Sequence, residues 1–179
     1  MVEGELLAID QSDKGPVVAR VFKVRVDPFV QKLSYLRVFG GTLTKDQMVH
    51  VSGVRKEVSL NPLLVVQGEQ TKQVDEATAG QIVAIAKMED LHIGSSLGQP
   101  ELPAIEFPEP MVGLAISPSK RGDENKLSAA MHKLTEEDPT LKLSRDPLTS
   151  EIVMTGTSEL HLQILRERLA RRDKIEVNT

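Results

Sequence analysis

Apolar residues follow two different rhythms along this chain. In the first half they come in short runs broken by Gly, Pro and Asp. Val17, Val18, Val21, Phe22, Val24 and Val26 alternate imperfectly between Pro16 and Val26, and Asp27-Pro28 marks a turn after them. Leu33 and Tyr35 keep a period of two, Leu36 and Val38 switch its phase, and Gly40-Gly41 closes the run. Met48–Val51 and Val58–Val66 continue the pattern. Ala79–Ala86 is apolar apart from Gly80-Gln81, as expected for a buried strand. Short strands at this spacing predict a small closed β-barrel, which also removes exposed strand edges.

The second half changes period. Met111–Ile116 reads as a strand. From Asp123 onward, Leu127, Ala130, Met131 and Leu134 recur at i, i+3, i+4 and i+7, the stripe of an amphipathic helix. Asp123 is placed to cap its start, and Pro139 stops it by pushing Asp138 out of the helical region. Leu141–Leu143 and Ile152–Met154 are short alternating strands joined through Asp146–Ser150. Ser158 caps a second helix with the stripe Leu162, Leu165 and Leu169, widened by Ile164, and Lys174–Val177 is a last strand. The order β-α-β-β-α-β is the ferredoxin-like arrangement. Between the halves, Pro100, Pro103, Pro108 and Pro110 fall within eleven residues. Proline fixes φ and donates no ladder bond, so this stretch is a stiff linker or an edge segment. The expected fold class is α+β in two domains, a β-barrel over 1–103 and a ferredoxin-like domain over 104–179.

Composition narrows the function classes. Hydrophobic residues make up 40% and charged residues 27%, an ordinary globular mix, and with 3% aromatics the core must be aliphatic. Cysteine is absent, which excludes disulfides and thiolate ligands. His50, His92, His132 and His161 show no metal-ligand spacing. No apolar run reaches the roughly 18 residues of a membrane span. Met1–Glu5 is acidic where a signal peptide is basic. A cytoplasmic protein with no membrane partner is expected. The net charge is −4, and each side of Pro103 carries 11 Lys and Arg against 13 Asp and Glu. Neither half is a polycation, so any nucleic-acid contact must come from local patches.

Two motifs carry the most chemistry, Glu136-Glu137-Asp138-Pro139-Thr140 and Gly156-Thr157-Ser158-Glu159-Leu160-His161-Leu162. Three carboxylates at a helix C-terminus oppose the macrodipole, at about 0.3–1 kcal/mol each when exposed. They read either as a solvated helix end or as a surface kept to meet a cation on a partner or neighbouring domain. Arg166, Arg168, Arg171, Arg172 and Lys174 crowd the end of the second helix. Cations complement the dipole there, and five in nine residues leave some for phosphate. Lys120-Arg121, before the first helix, is a similar candidate. His161 reads as a packed or hydrogen-bonded residue, or as one at a domain interface. Glu159 and His161 are two apart and point to different helix faces. A phosphate-binding loop needs Gly-x-x-x-x-Gly-Lys-Ser/Thr, and the chain has no Gly-Lys pair. It also has no Asp-x-x-Gly, and Asn125-Lys126-Leu127-Ser128 lacks the carboxylate of a guanine-recognition motif. No catalytic, cofactor-binding or metal residue is expected.

The two motifs together resemble the third domain of elongation factor G, the ribosomal translocation GTPase, and Phe107-Pro108-Glu109-Pro110 looks like the lead-in to that domain. Asp27-Pro28-Phe29-Val30, the run from Leu33 to Leu43 and Ala79–Ala84 resemble the second domain, a β-barrel shared across translational GTPases. The chain departs from the family at Thr157-Ser158, where many members have Met-Gly, and it ends about where domain three would finish. The resemblance implies a noncatalytic middle fragment of an elongation factor G-like GTPase, a divergent paralogue that relays GTPase state during translation elongation. It implies GTP and magnesium in the parent protein and none in this chain. The implied partners are the ribosome, through ribosomal RNA and proteins, and the missing GTPase and C-terminal domains. Lys120, Arg121, Arg166, Arg168, Arg171 and Arg172 are then candidate ribosome or RNA contacts. Phe107, Glu136, Glu137, Asp138, Glu159, Leu160 and His161 are candidate interdomain contacts. Phe107, Leu160 and His161 would also lie near the fusidic acid site of the family. The alternative is a free-standing RNA-binding or protein-interaction module, although the ferredoxin-like half lacks the aromatic pairs that stack bases. A tetracycline-protection or stress GTPase relative would differ only in biological role.

Overall fold

The computed structural model of the chain describes residues 8–27, 31–68, 70–120, 122–149 and 151–179. Met1–Ile105 and Glu106–Thr179 form two separate units, each with its own core.

The first unit is built on a six-stranded antiparallel sheet. β1 (Val18–Asp27) and β2 (Gln31–Gly40) pair along their length. β2 continues to β9 (Ile82–Ala86), then to β6 (Leu63–Gln67) and the edge strand β7 (Gln70–Val74). On its other side β1 pairs with β10 (Ser96–Gly98). Two short pairs complete the wrap, β3 (Thr42–Thr44) with β8 (Glu76–Thr78) and β4 (Met48–Val49) with β5 (Val58–Ser59). Bridging of Val51 to Leu97 ties the stretch after β4 back to β10. The inward side chains are aliphatic throughout, with Val21, Leu36, Val38, Leu43, Leu63, Ile85 and Leu97 fully buried. Gly98 sits at φ +81 against the Val17 carbonyl, so close that a Cβ would lie 1.8 Å from that oxygen. This is a β-barrel of the expected kind.

The imperfect alternation in β1 has a structural cause. Its register against β2 shifts between Val21 and Lys23, a β-bulge. Val21 and Val24 stay in the core while Phe22 and Lys23 both face out. In β2, Leu36 and Val38 point inward and Tyr35 lies outside beneath Lys23. Pro62 explains another departure. Val58–Val66 is two strands rather than one, because a proline without an N–H separates β5 from β6. Asn61 fills the gap, its amide donating to the Ala86 carbonyl at 2.8 Å.

The second unit is a four-stranded antiparallel sheet with two helices. β11 (Val112–Pro118) leads to α1 (Glu124–Glu137), then β12 (Lys142–Arg145), β13 (Ile152–Gly156), α2 (Glu159–Arg168) and β14 (Val177–Asn178). The strand order β12-β13-β11-β14 is that of a ferredoxin-like fold. Leu127, Ala130, Met131 and Leu134 of α1 and Leu162 and Leu165 of α2 pack with Leu169 against Ile116 and Met154 of the sheet. Ile164 does not widen this stripe. It is exposed, because it lies off the face that meets the sheet. Asp123 occupies the N-cap position of α1 and its carbonyl accepts the Leu127 N–H, but its side chain caps no backbone N–H, the carboxylate being taken by Lys126 Nζ at 2.8 Å. The last strand starts later than the apolar pattern suggests. Leu169–Asp173 continues α2 as a π-helical turn, and Lys174 closes it in the left-handed region at φ +57. Ile175 then drops into the core ahead of β14.

Candidate functional site

The two sequence motifs meet in space at the junction of α1 and α2. Pro139 ends α1, and Asp138 before it is extended, at φ −139 and ψ 102. That turn aims the Asp138 carboxylate sideways. One oxygen accepts from Thr140, from N–H at 2.9 Å and from the hydroxyl at 2.6 Å. The other lies 2.9 Å from His161 Nε2. His161 sits in the first turn of α2, where its backbone N–H donates to the capping Ser158 hydroxyl at 3.1 Å. Its ring folds back over Gly156 so that Nδ1 accepts the Thr157 backbone N–H at 3.2 Å. With Nδ1 an acceptor, the proton of the neutral ring is on Nε2, and His161 donates to Asp138. Gly156 makes the fold-back possible, since a Cβ there would lie 2.9 Å from His161 Nδ1 and 2.8 Å from a Leu162 methyl.

The neighbouring carboxylate works on the other end of α2. The Glu137 side chain is only 9% exposed and takes Arg172 at 2.8 Å and Arg168 at 3.4 Å. Arg172 also donates through Nε to Asp173 at 3.0 Å. Burial works against the charged Arg172, but its two carboxylate partners outweigh that and hold its pKa above the ordinary value. Burial likewise opposes ionisation of Asp138, and the Thr140 and His161 contacts overcome it, so its pKa is below the ordinary aspartate value. The unfavourable placing of acids at a helix C-terminus is thus answered from within the unit, by a histidine and two arginines of the second helix.

Asp138, His161 and the Thr157 hydroxyl, 3.2 Å from Nδ1, have the connectivity of an acid–imidazole–hydroxyl relay. They are not arranged to act as one. Nδ1 already accepts a backbone N–H and is not available to withdraw a proton from the hydroxyl. The cluster is a clamp between helices. Among the described residues no group of three or more His, Asp or Glu could hold a metal ion. With no phosphate-binding loop in the sequence either, the residues present do not fit GTP and magnesium.

The remaining candidates are scattered. Lys120, Arg166 and Arg171 are exposed, as are Glu159 and Leu160, while Phe107 and Glu136 are half-buried. Arg121 lies outside the described residues. No helix is long and apolar enough to cross a membrane. Sequence reading found the participants of the clamp but not their pairing. A hint was available in the spacing, since Arg168 and Arg172 are four apart and share a helix face.

A small β-barrel followed by a ferredoxin-like domain makes this a two-domain α+β protein. Residues 16–99 match the family model for elongation factor G domain 2, and residues 107–179 that for Elongation Factor G, domain III. The chain belongs to the elongation factor G family, of which it carries these two domains. It is 36% identical over 180 residues to elongation factor G of Mycoplasma pneumoniae and 36% identical over 176 residues to that of Mycoplasma genitalium. Those alignments cover 98% and 96% of this chain, and the chain spans 26% of each relative. A crystal structure of a Thermus thermophilus protein superposes with a TM-score of 0.78 at 40% identity, covering 92% of this chain and 26% of that one.

Proposed function

We propose that the chain is the noncatalytic, ribosome-contacting and relay portion of an elongation factor G-like translational GTPase, serving translocation during translation elongation in the cytoplasm. The observation that carries this reading is the two family matches in order, domain II and then domain III, across one continuous stretch. The helix clamp supports the relay. A body that passes on a displacement must not absorb it, and the clamp fastens α2 to the end of α1 at both of its ends. GTP and magnesium belong, in this reading, to a nucleotide-binding domain outside these residues. Phe107, Glu136, Glu159 and Leu160 would face neighbouring domains, with Glu137, Asp138 and His161 holding that surface in shape. Lys120, Arg121, Arg166 and Arg171 are the cations proposed to meet ribosomal phosphate, with Arg168 and Arg172 contributing what Glu137 leaves accessible.

Co-sedimentation with ribosomes over a series of salt concentrations tests this. Replacing Arg166 and Arg171 with Gln should weaken binding and lower the salt slope by about 1 for each phosphate that is no longer neutralised. An unchanged slope would leave them as helix-end cations and remove the proposed ribosome face. Titration of the chain with GTP should give no binding heat.

A further inference from the structure

The sheet of the second unit has an edge that its last strand covers only in part. β13 pairs with β11 from Val112 to Ile116 on one side. On the other side β14 meets only Ser117 and Pro118. Among the described residues no strand covers Val112–Ile116 on that side. The Ser119 N–H donates to the Glu176 carbonyl at 3.0 Å, which sets the phase of the backbone along this edge. Successive residues of a strand direct their N–H and C=O groups to opposite sides. Gly113 and Ala115 therefore turn theirs toward the open edge, in phase with Ser117 and Ser119. Sheet edges are usually guarded by lysine or proline, and Val112-Gly113-Leu114-Ala115-Ile116 contains neither.

The open edge runs beside α2, and the space between them is a groove of about 320 Å³. Val112, Leu114 and Leu162 make it apolar, and Val112 and Leu114 are only half-buried. From the helix it is lined by Glu159, Gln163 and Arg166, at i, i+4 and i+7 of one face. Glu159 stands at the Val112 end, since α2 starts three residues after Gly156, the partner of Val112. Arg166 stands toward β14, 3.5 Å from the Thr179 hydroxyl. Among the described residues neither charge has an ion-pair partner. They lie about 10 Å apart along the helix axis, the length of about three strand residues. β14 already lies antiparallel against the far part of this edge, so the edge accepts an extended backbone. A segment added in the same direction would bond to Gly113 and Ala115 and lay alternate side chains over Leu114 and Leu162. Its N-terminal side would meet Arg166 and its C-terminal side Glu159. Charge complementarity then asks for a carboxylate, an apolar residue and a cation, in that order. A second copy of β11 fits poorly, because its Val112–Ile116 brings no charge to either residue.

We propose that the open edge of β11 and the facing side of α2 bind an extended segment of a partner protein, added antiparallel to β11, with an acidic, an apolar and a basic side chain at alternate positions. This goes beyond the ribosome-contact reading. The two share Arg166, and they can fail separately because the test uses no ribosome. The isotope-labelled 179-residue chain is titrated with the peptide acetyl-Thr-Glu-Thr-Val-Thr-Lys-Thr-amide and followed by amide NMR. The Gly113 and Ala115 amides should shift and become protected from exchange, while those of the barrel stay unchanged. Ala115→Pro removes an N–H that faces the open edge and leaves the β13 ladder intact. It should weaken binding about fivefold to tenfold. Arg166→Glu should weaken it about tenfold, and a peptide with Lys in place of its Glu should recover most of that loss. Circular dichroism melting checks that each variant is folded. Unshifted Gly113 and Ala115 amides at millimolar peptide, or equal binding by folded Ala115→Pro, overturn the proposal. So does an Arg166→Glu protein that binds the Lys-substituted peptide no better than the original. A sedimentation profile in which the unmodified chain is a dimer that Ala115→Pro dissociates overturns it too, since the edge would then belong to a second copy.

Discussion

Both ring nitrogens of His161 are engaged inside the second unit, Nδ1 by the Thr157 N–H and Nε2 by Asp138. Replacing His161 with Ala removes a charge-assisted bond from a carboxylate that is 28% exposed, and should cost about 1–3 kcal/mol in urea unfolding. Gly156→Ala should cost a similar ~1–3 kcal/mol by overpacking, since its methyl would displace the imidazole or Leu162. A change under about 0.5 kcal/mol in both would mean the clamp contributes nothing to stability. The pH dependence follows from Asp138. Its folded pKa is below the unfolded value of about 3.9, so its contribution is complete well above that pH. The contribution is lost as the pH falls through the unfolded value toward the lower folded one. Asp138→Asn should therefore flatten the acid limb of the stability curve below about pH 4 and leave its shape near neutrality unchanged.

At the scale of the element, α2 with its π-helical continuation is held at both ends by two adjacent residues, Glu137 at the end of α1 and Asp138 just after it. Ser158→Ala removes the N-cap and should cost about 1 kcal/mol. Glu137→Gln leaves Arg168 and Arg172 without their shared carboxylate and should cost more, about 2–4 kcal/mol, with amide exchange rising first in the turn at Leu169–Asp173. Uniform exchange along α2 in that variant would show that Glu137 does not hold its C-terminal end. The helices were legible because their packing is local and periodic, and Leu127 to Leu134 and Leu162 to Leu169 name the buried face in advance. Long strands with an inward aliphatic side were legible for the same reason. The strands that escaped notice carry little pattern of their own. Gln70–Val74 is polar and exposed along an edge, and Thr42–Thr44, Glu76–Thr78 and Ser96–Gly98 are three residues each. What makes them strands is the partner across the ladder, which no local window contains.

At the scale of the whole molecule, the two units bury separate aliphatic cores. Leu36→Ala should cost the barrel about 2–5 kcal/mol, and hydrogen exchange should rise across the first unit while the amides of α1 and α2 keep their protection. A parallel loss of protection in both units would show that they unfold as one. Hydrophobic period was enough to indicate a barrel and a ferredoxin-like domain, and the resemblance of local motifs pointed to the elongation factor G family, because each depends on residues near one another in the chain or on a repeated spacing. Tertiary structure decided the use to which the motifs are put. Asp138 and His161 are 23 residues apart, and Glu137 and Arg172 are 35 apart. Only the folding of α2 back across the end of α1 brings those charges within hydrogen-bond reach and turns an unfavourable acidic helix end into a clamp. The same is true of the open edge of β11, where α2 sets Glu159 and Arg166 beside Gly113 and Leu114. Charges and rings have direction and reach, which the linear order of residues does not encode, whereas the drive to bury an aliphatic side chain is non-directional and leaves its period written along the chain.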